Sequence, residues 1–177
     1  MAQPLTQGRT FNLAQAYDQA QRLHQQGRLQ EAEVLCLQVL QARPDHADAL
    51  HTMALICHAR GQQVEALQLI SAAMQARKPA PAVLLNRGII LSALARPQEA
   101  LESFEQAIKL KSKYAEAHFN RGNALSALGR DEEALEAYKK AIIIKPDLTD
   151  AHFNRGVLLL GLGHYEDALK ALARALA

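Results

Sequence analysis

The chain has 177 residues, nearly half of them apolar, with no Trp, only 5% aromatics and a formal net charge of +2. A chain of that size can bury about 70% of its unfolded surface. Its near-neutral balance, with no stretch that forms a basic block, argues against nucleic acid or an anionic membrane as partner. No run of 18 apolar residues could span a bilayer.

In chain order, residues 1–12 read as a flexible leader. Met1–Thr10 has Pro, Gly, Gln and Thr but no charged start followed by an apolar core, so it is not a secretory signal. With two cysteines in the whole chain, a reducing, cytoplasmic setting is expected.

The rest is periodic. His118–Gly122, H-F-N-R-G, returns at His152–Gly156, an offset of 34, and sliding Ala115–Ile143 onto Thr149–Ala177 gives 14 identities in 29 places without a gap. A period of that length marks one supersecondary unit stacked several times. Counting back, units cover residues 13–46, 47–80, 81–114, 115–148 and 149–177, beginning at Leu13, Ala47, Pro81, Ala115 and Thr149. Each holds two amphipathic helical segments joined by a short break, with apolar residues at three- and four-residue spacing, as in Ala134, Leu135, Tyr138, Ala141 and Ile142. Strand signals are absent, so the class is all-α.

The invariant places have physical reasons. The eighth residue of each unit is small (Ala20, Ala54, Gly88, Gly122, Gly156), which lets two helices approach. The fifteenth is Gly27, Gly61, Ala95, Gly129 and Gly163, where Gly can close the first helix with φ > 0. Pro44, Pro79 and Pro146 follow second segments and stop them, and Pro97 opens one, where its missing N–H costs nothing.

These residues resemble the tetratricopeptide repeat (TPR) family across Leu13–Ala177. The pattern appears as Gly122, Ala134-x3-Tyr138 and Pro146, and again as Gly88 with Ala100-x3-Phe104. The departures fall at places of packing: His118 and His152 for Trp, Arg87, Arg121 and Arg155 for Leu, Leu91, Leu125 and Leu159 for Tyr, Ser112 for Pro, Ala95 for Gly, and Cys36 at an aromatic place. The resemblance implies a TPR solenoid, five helix-turn-helix repeats in a right-handed superhelix. First helices would line a concave groove that takes a peptide or helix of a protein partner.

Residues facing that groove follow from helical spacing. The second, fifth, sixth, ninth, twelfth and thirteenth of each unit should point inward, giving peptide-binding candidates Leu85, Asn86, Ile89, Phe119, Asn120, Asn123, Phe153, Asn154 and Val157. Asn86, Asn120 and Asn154 would form a ladder one repeat apart. A carboxamide both donates and accepts, so such a row could hold an extended backbone whatever its side chains. The alternative is that each Asn bonds locally and sets the superhelix.

Other readings are weaker. A clamp for a C-terminal carboxylate needs inward cations, but the fifth places are Tyr17, His51, Leu85, Phe119 and Phe153. Arg87, Arg121 and Arg155 could present three forks to an acidic partner, but are expected to tie helices together through second-helix carboxylates such as Glu102 and Glu136. His51 and His58, seven apart, share a helical face, and His24 holds the matching place one unit earlier. Neighbouring helices stand about 10 Å apart, however, and no carboxylate completes a metal set, so the three read as groove-lining polar residues. His118 and His152 are expected to pack, and His46 and His164 to lie in turns. Cys36 and Cys57 are expected to touch as small core residues, without a disulfide. No phosphate loop, nucleophile elbow or paired-carboxylate site appears, so neither catalysis nor a cofactor is expected. The carboxylates Asp131, Glu132, Glu133 and Glu136 read as a solvated helix start.

At the far end, Leu169, Leu172 and Leu176 form one stripe with no following helix, and leaving each wet forgoes about 1.5–3 kcal/mol. Continuation of the chain or self-association through this helix is the expectation. A further resemblance, in G-R-L-Q-E-A-E-V-L at Gly27–Leu35 and P-D-H-A-D-A-L-H at Pro44–His51, is to the N-terminal repeats of bacterial TPR-bearing glycosyltransferases similar to O-linked N-acetylglucosamine transferases. It implies an acceptor-recognition arm without the transferase. The favoured function is a non-catalytic protein-binding scaffold.

Overall fold

The computed structural model describes residues 12–176. Apart from Asn12 the expected leader lies outside them, as does Ala177. Ten helices follow in order: α1 Leu13–Gln25, α2 Leu29–Ala42, α3 Ala47–Ala59, α4 Gln63–Ala76, α5 Pro81–Ala93, α6 Pro97–Leu110, α7 Ala115–Ala127, α8 Asp131–Ile144, α9 Thr149–Gly161 and α10 Tyr165–Ala175. Among the described residues there is no strand. No helix there is long and apolar enough to cross a membrane.

Each odd-numbered helix packs on the next even-numbered one, and each even-numbered helix on the following odd one, which builds a helical solenoid. The first helices α1, α3 and α5 each also touch the next first helix, whereas the second helices make no comparable approach among the described residues. Elements on the inside of a curve stand closer together than those outside it, so the first helices line the inner face.

Local chemistry places the helix ends. Asn12 caps α1 by accepting from the Gln15 amide at 3.2 Å, and His46 caps α3 through Nδ1, which accepts from the Ala49 amide at 3.1 Å. Pro81 and Pro97 occupy the first positions of α5 and α6. Before α2, α6 and α8 stands an Arg whose guanidinium forks the Glu three residues on: Arg28–Glu31, Arg96–Glu99 and Arg130–Glu133. Before α4 the place is taken by Gln62, whose Nε2 donates a single bond to Glu65 at 3.2 Å. These guanidiniums hold the Glu99 and Glu133 carboxyls below their usual range. At the acidic start of α8, expected to be solvated, Glu133 is thus exposed and also ion-paired with Arg130.

Gly27, Gly61, Gly129 and Gly163 close their helices at positive φ. Ala95 holds the same place at φ 55°, in the left-handed region that costs an L-residue about 1–2 kcal/mol.

The core is a row of apolar clusters rather than one. The first joins Ala20, Leu23, Ala32, Cys36, Met53 and Ile56, and the next joins Ala54, Cys57, Ala66, Ile70, Val83 and Ile90. The largest centres on Leu91, Phe104, Leu125 and Tyr138. Cys36 and Cys57 therefore lie in different clusters instead of touching. Both are buried free thiols, and burial pushes the Cys36 thiol up to about 11.

Candidate functional site in the concave groove

The nine sequence-derived groove residues do not form one even surface. Leu85 is only 8% exposed and belongs to the core cluster. Ile89 and Phe119 are half-buried and pack against that cluster, with the Phe119 ring 6.0 Å from that of Tyr138. These three offer little to a partner.

The asparagine ladder is uneven too. Asn86 Nδ2 lies 2.9 Å from His51 Nε2, one repeat earlier. Asn120 Nδ2 donates to the Glu116 carbonyl of its own helix at 2.8 Å. Asn154 Nδ2 donates to Asn123 Oδ1 at 2.9 Å, across to the preceding first helix. One carboxamide bonds within its helix, and two link neighbouring repeats.

The inner face opens between α7 and α9, which do not approach as the other successive first helices do. A cleft of about 470 Å³ lies there, lined by Asn123, Ser126, Asp131, Tyr138, Phe153, Asn154, Val157, Leu158, Gly161 and Leu162. Four sequence candidates meet in it: Asn123, Phe153, Asn154 and Val157. Phe153 is 52% and Val157 49% exposed, an unusual amount of apolar surface for neighbouring residues of one helix face.

The polar side of the cleft is ordered. Asn123 Oδ1 accepts from both the Tyr138 hydroxyl and Asn154 Nδ2, each at 2.9 Å. Burial pushes the Tyr138 phenol up to about 12, so it stays a donor. Asp131 supplies one carboxylate and no ion pair engages it among the described residues. Sequence spacing missed Tyr138, Asp131, Leu158 and Leu162 because they come from a second helix, a helix start and off-face positions.

The arginines take other partners than Glu102 and Glu136. Arg87 donates to Ser103 Oγ at 2.7 Å, and Arg121 Nε donates to Glu105 at 3.2 Å, reaching the second helix of the preceding pair. Glu136 instead meets Lys139. No ion pair engages Arg155 among the described residues. His118 and His152 each place Nε2 2.9 Å from the carbonyl six residues earlier, that of Ser112 and of Pro146. Nε2 must be the protonated nitrogen, so both rings pin the incoming loop. No cluster of three or more metal-ligating side chains occurs among the described residues.

Repeated helix pairs around an inner face with an apolar, hydrogen-bonding cleft define a helical-repeat scaffold. Two TPR profiles match the chain, one described as tetratricopeptide repeat over residues 23–85 and one as TPR repeat over 98–129 and 122–163. The chain belongs to the tetratricopeptide repeat family, a family of protein-interaction scaffolds. Solved structures agree in fold. MamA matches at 24% identity and a TM-score of 0.80, over 89% of this chain and 92% of that one. MamA residues 41-end from Desulfovibrio magneticus RS-1 matches at 17% identity and 0.84, over 93% of each chain. YrrB, a TPR protein with an unusual peptide-binding site, matches at 24% identity and 0.78, over 93% of this chain and 85% of that one. No protein of curated function matches the chain.

Proposed function

We propose that this chain is a non-catalytic scaffold that binds an extended peptide segment of a partner protein on its concave face, anchored in the α7–α9 cleft. The observation that carries the reading is the juxtaposition of exposed Phe153 and Val157 with the ordered Asn123–Tyr138–Asn154 set. Apolar surface beside fixed hydrogen-bonding groups is what a peptide side chain and its backbone use together. The peptide-binding site named for YrrB lends the reading an analogy of fold, and the site residues rest on this chain's own geometry. Buried free thiols fit the reducing, cytoplasmic setting expected from composition.

Selection from a displayed random-peptide library, followed by fluorescence anisotropy, tests the proposal. Selected peptides should carry a large apolar residue, and Phe153→Ala or Val157→Asp should weaken binding about ten-fold or more. Equal affinity for both variants and the parent would move the site out of the cleft.

A second reading, pairing of two copies through α10, is favoured by Leu169 and Leu176 at 71% and 90% exposure. Leu172 does not join that stripe, because its side chain sits against Gly156. Light scattering across a concentration series tests pairing, and a constant monomer mass would exclude it.

A further inference from the structure

Six of the chain's eight lysines fall between residues 109 and 145: Lys109, Lys111, Lys113, Lys139, Lys140 and Lys145. Lys109 lies in the last turn of α6 with Lys111 and Lys113 just beyond it, while Lys139 and Lys140 lie in the C-terminal half of α8 with Lys145 just beyond it. The C-terminal ends of two second helices in successive repeats therefore carry them. A cleft of about 410 Å³ opens there, lined by Ile108, Ser112, Lys113, His118, Lys140, Ile143 and Ile144. It is separate from the groove cleft and shares no residue with it.

Cations near helix C-termini complement the dipole, and that alone would explain one charge per helix. It does not explain the rest. In the first two repeats the residue just past the second helix is Arg43 or Arg77, and each is ion-paired, with Asp45 and Asp48. Lys113 and Lys140 have no such partner among the described residues, and no carboxylate lines the cleft. Within α8, Glu136 is engaged by Lys139, and the acids that follow the helix, Asp147 and Asp150, pair with no lysine among the described residues. Apolar surface accompanies the unpaired charge: Ile143 is 69% and Leu110 49% exposed. The ring of His118 is held by its bond to the Ser112 carbonyl, so the cleft wall is fixed.

We propose that this edge is a second docking site, for an acidic protein segment that seats a large apolar side chain between Ile108 and Ile143 and sets carboxylates against Lys113 and Lys140. The volume suits one or two apolar side chains. Flanking carboxylates would be steered by the surrounding lysines and would meet cations that need no existing pair broken. The solenoid would then hold two partners, or two parts of one, in two separate clefts.

Anisotropy of the full chain with two labelled ten-residue peptides tests this. Both carry Leu-Phe at the centre, one flanked by Asp and Glu, the other by Lys and Arg. The acidic peptide should bind about ten-fold tighter, and more weakly as salt rises. Lys113→Glu with Lys140→Glu should abolish that preference, and Ile143→Asp should weaken binding about five-fold. Phe153→Ala should leave the preference for the acidic peptide over the basic one intact, which separates this site from the groove. Circular dichroism checks that the variants remain helical, and Lys→Gln at both positions replaces the reversal if they do not. Equal binding of the two peptides, indifference to the lysine changes, or loss of the acidic preference on Phe153→Ala would each overturn the proposal. So would lysine-dependent capture by phosphatidylserine vesicles with no peptide binding, which would make the edge a membrane contact.

Discussion

Gly122 and Tyr138 occupy one volume between them: a Cβ on Gly122 would stand 2.5 Å from Cε1 of the Tyr138 ring. The same pair of places recurs in every repeat with sizes that trade off. Gly88 faces Phe104 and Gly156 faces Leu172, while the earlier repeats set Ala20 with Cys36 and Ala54 with Ile70 in their clusters. Gly122→Ala should destabilise the chain by about 1–2 kcal/mol, overpacking outweighing the helix-propensity gain of Ala. Combining Gly88→Ala with Phe104→Ile, after the Ala54–Ile70 pattern, should cost less than the two single changes added. Urea denaturation of the four proteins checks the cycle, and strict additivity would refute the trade-off.

Ala95 is the one described non-Gly residue at positive φ. Ala95→Gly relieves about 1–2 kcal/mol of left-handed strain and gives back about 0.5–1 in unfolded-chain entropy. The net expectation is a gain of about 0.5–1 kcal/mol. Gly129→Ala, at φ +71° with nothing within 4 Å of the added Cβ, should lose a similar amount through strain alone. The two denaturation midpoints should move in opposite directions.

His51 supplies a pH dependence. Burial lowers its pKa, opposed by Asp48 and reinforced by the nearby His24 and Arg77 charges. Its Nε2 accepts from Asn86, a bond that protonation at that nitrogen would break. The unfolded chain therefore binds a proton more readily than the folded one, and stability rises with pH across the window between the two pKa values. The contribution is complete above the unfolded value of about 6.5 and is lost as pH falls towards the depressed one. Melting temperature should drop between about pH 7 and pH 5, and His51→Gln, which can still accept from Asn86, should flatten part of that drop.

The period and the helix starts were legible because packing repeats the same demand at the same place: a small residue, a break, an Ala, a stop. What spacing could not supply was the depth of each place along the row. Leu85 and Phe153 hold the same position in their repeats, yet Leu85 is buried and Phe153 half open. The difference lies in how closely successive first helices approach, which no single repeat encodes. The arginines show the same limit. Arg87 and Arg121 share a position, but Arg87 reaches Ser103 in its own pair, whereas Arg121, with Ala137 at the matching place, reaches back to Glu105 in the preceding pair.

The Asn123 carboxamide gives the last prediction. Its Oδ1 accepts two bonds, one from the hydroxyl of buried Tyr138 and one from Asn154 Nδ2, so removing it strips the Tyr138 hydroxyl of the acceptor it now uses. Asn123→Ala should therefore cost about 1–3 kcal/mol, the penalty of leaving a donor unmatched. Tyr138→Phe in the same chain removes that donor and should recover part of the loss. Asn120 makes only a bond within its own exposed helix face, so Asn120→Ala should shift stability by no more than about 0.5 kcal/mol. If peptide selected on the parent binds the Asn120→Ala chain normally but the Asn154→Ala chain weakly, recognition runs through the α7–α9 cleft. Equal losses at both would restore an even ladder of asparagines as the recognition element.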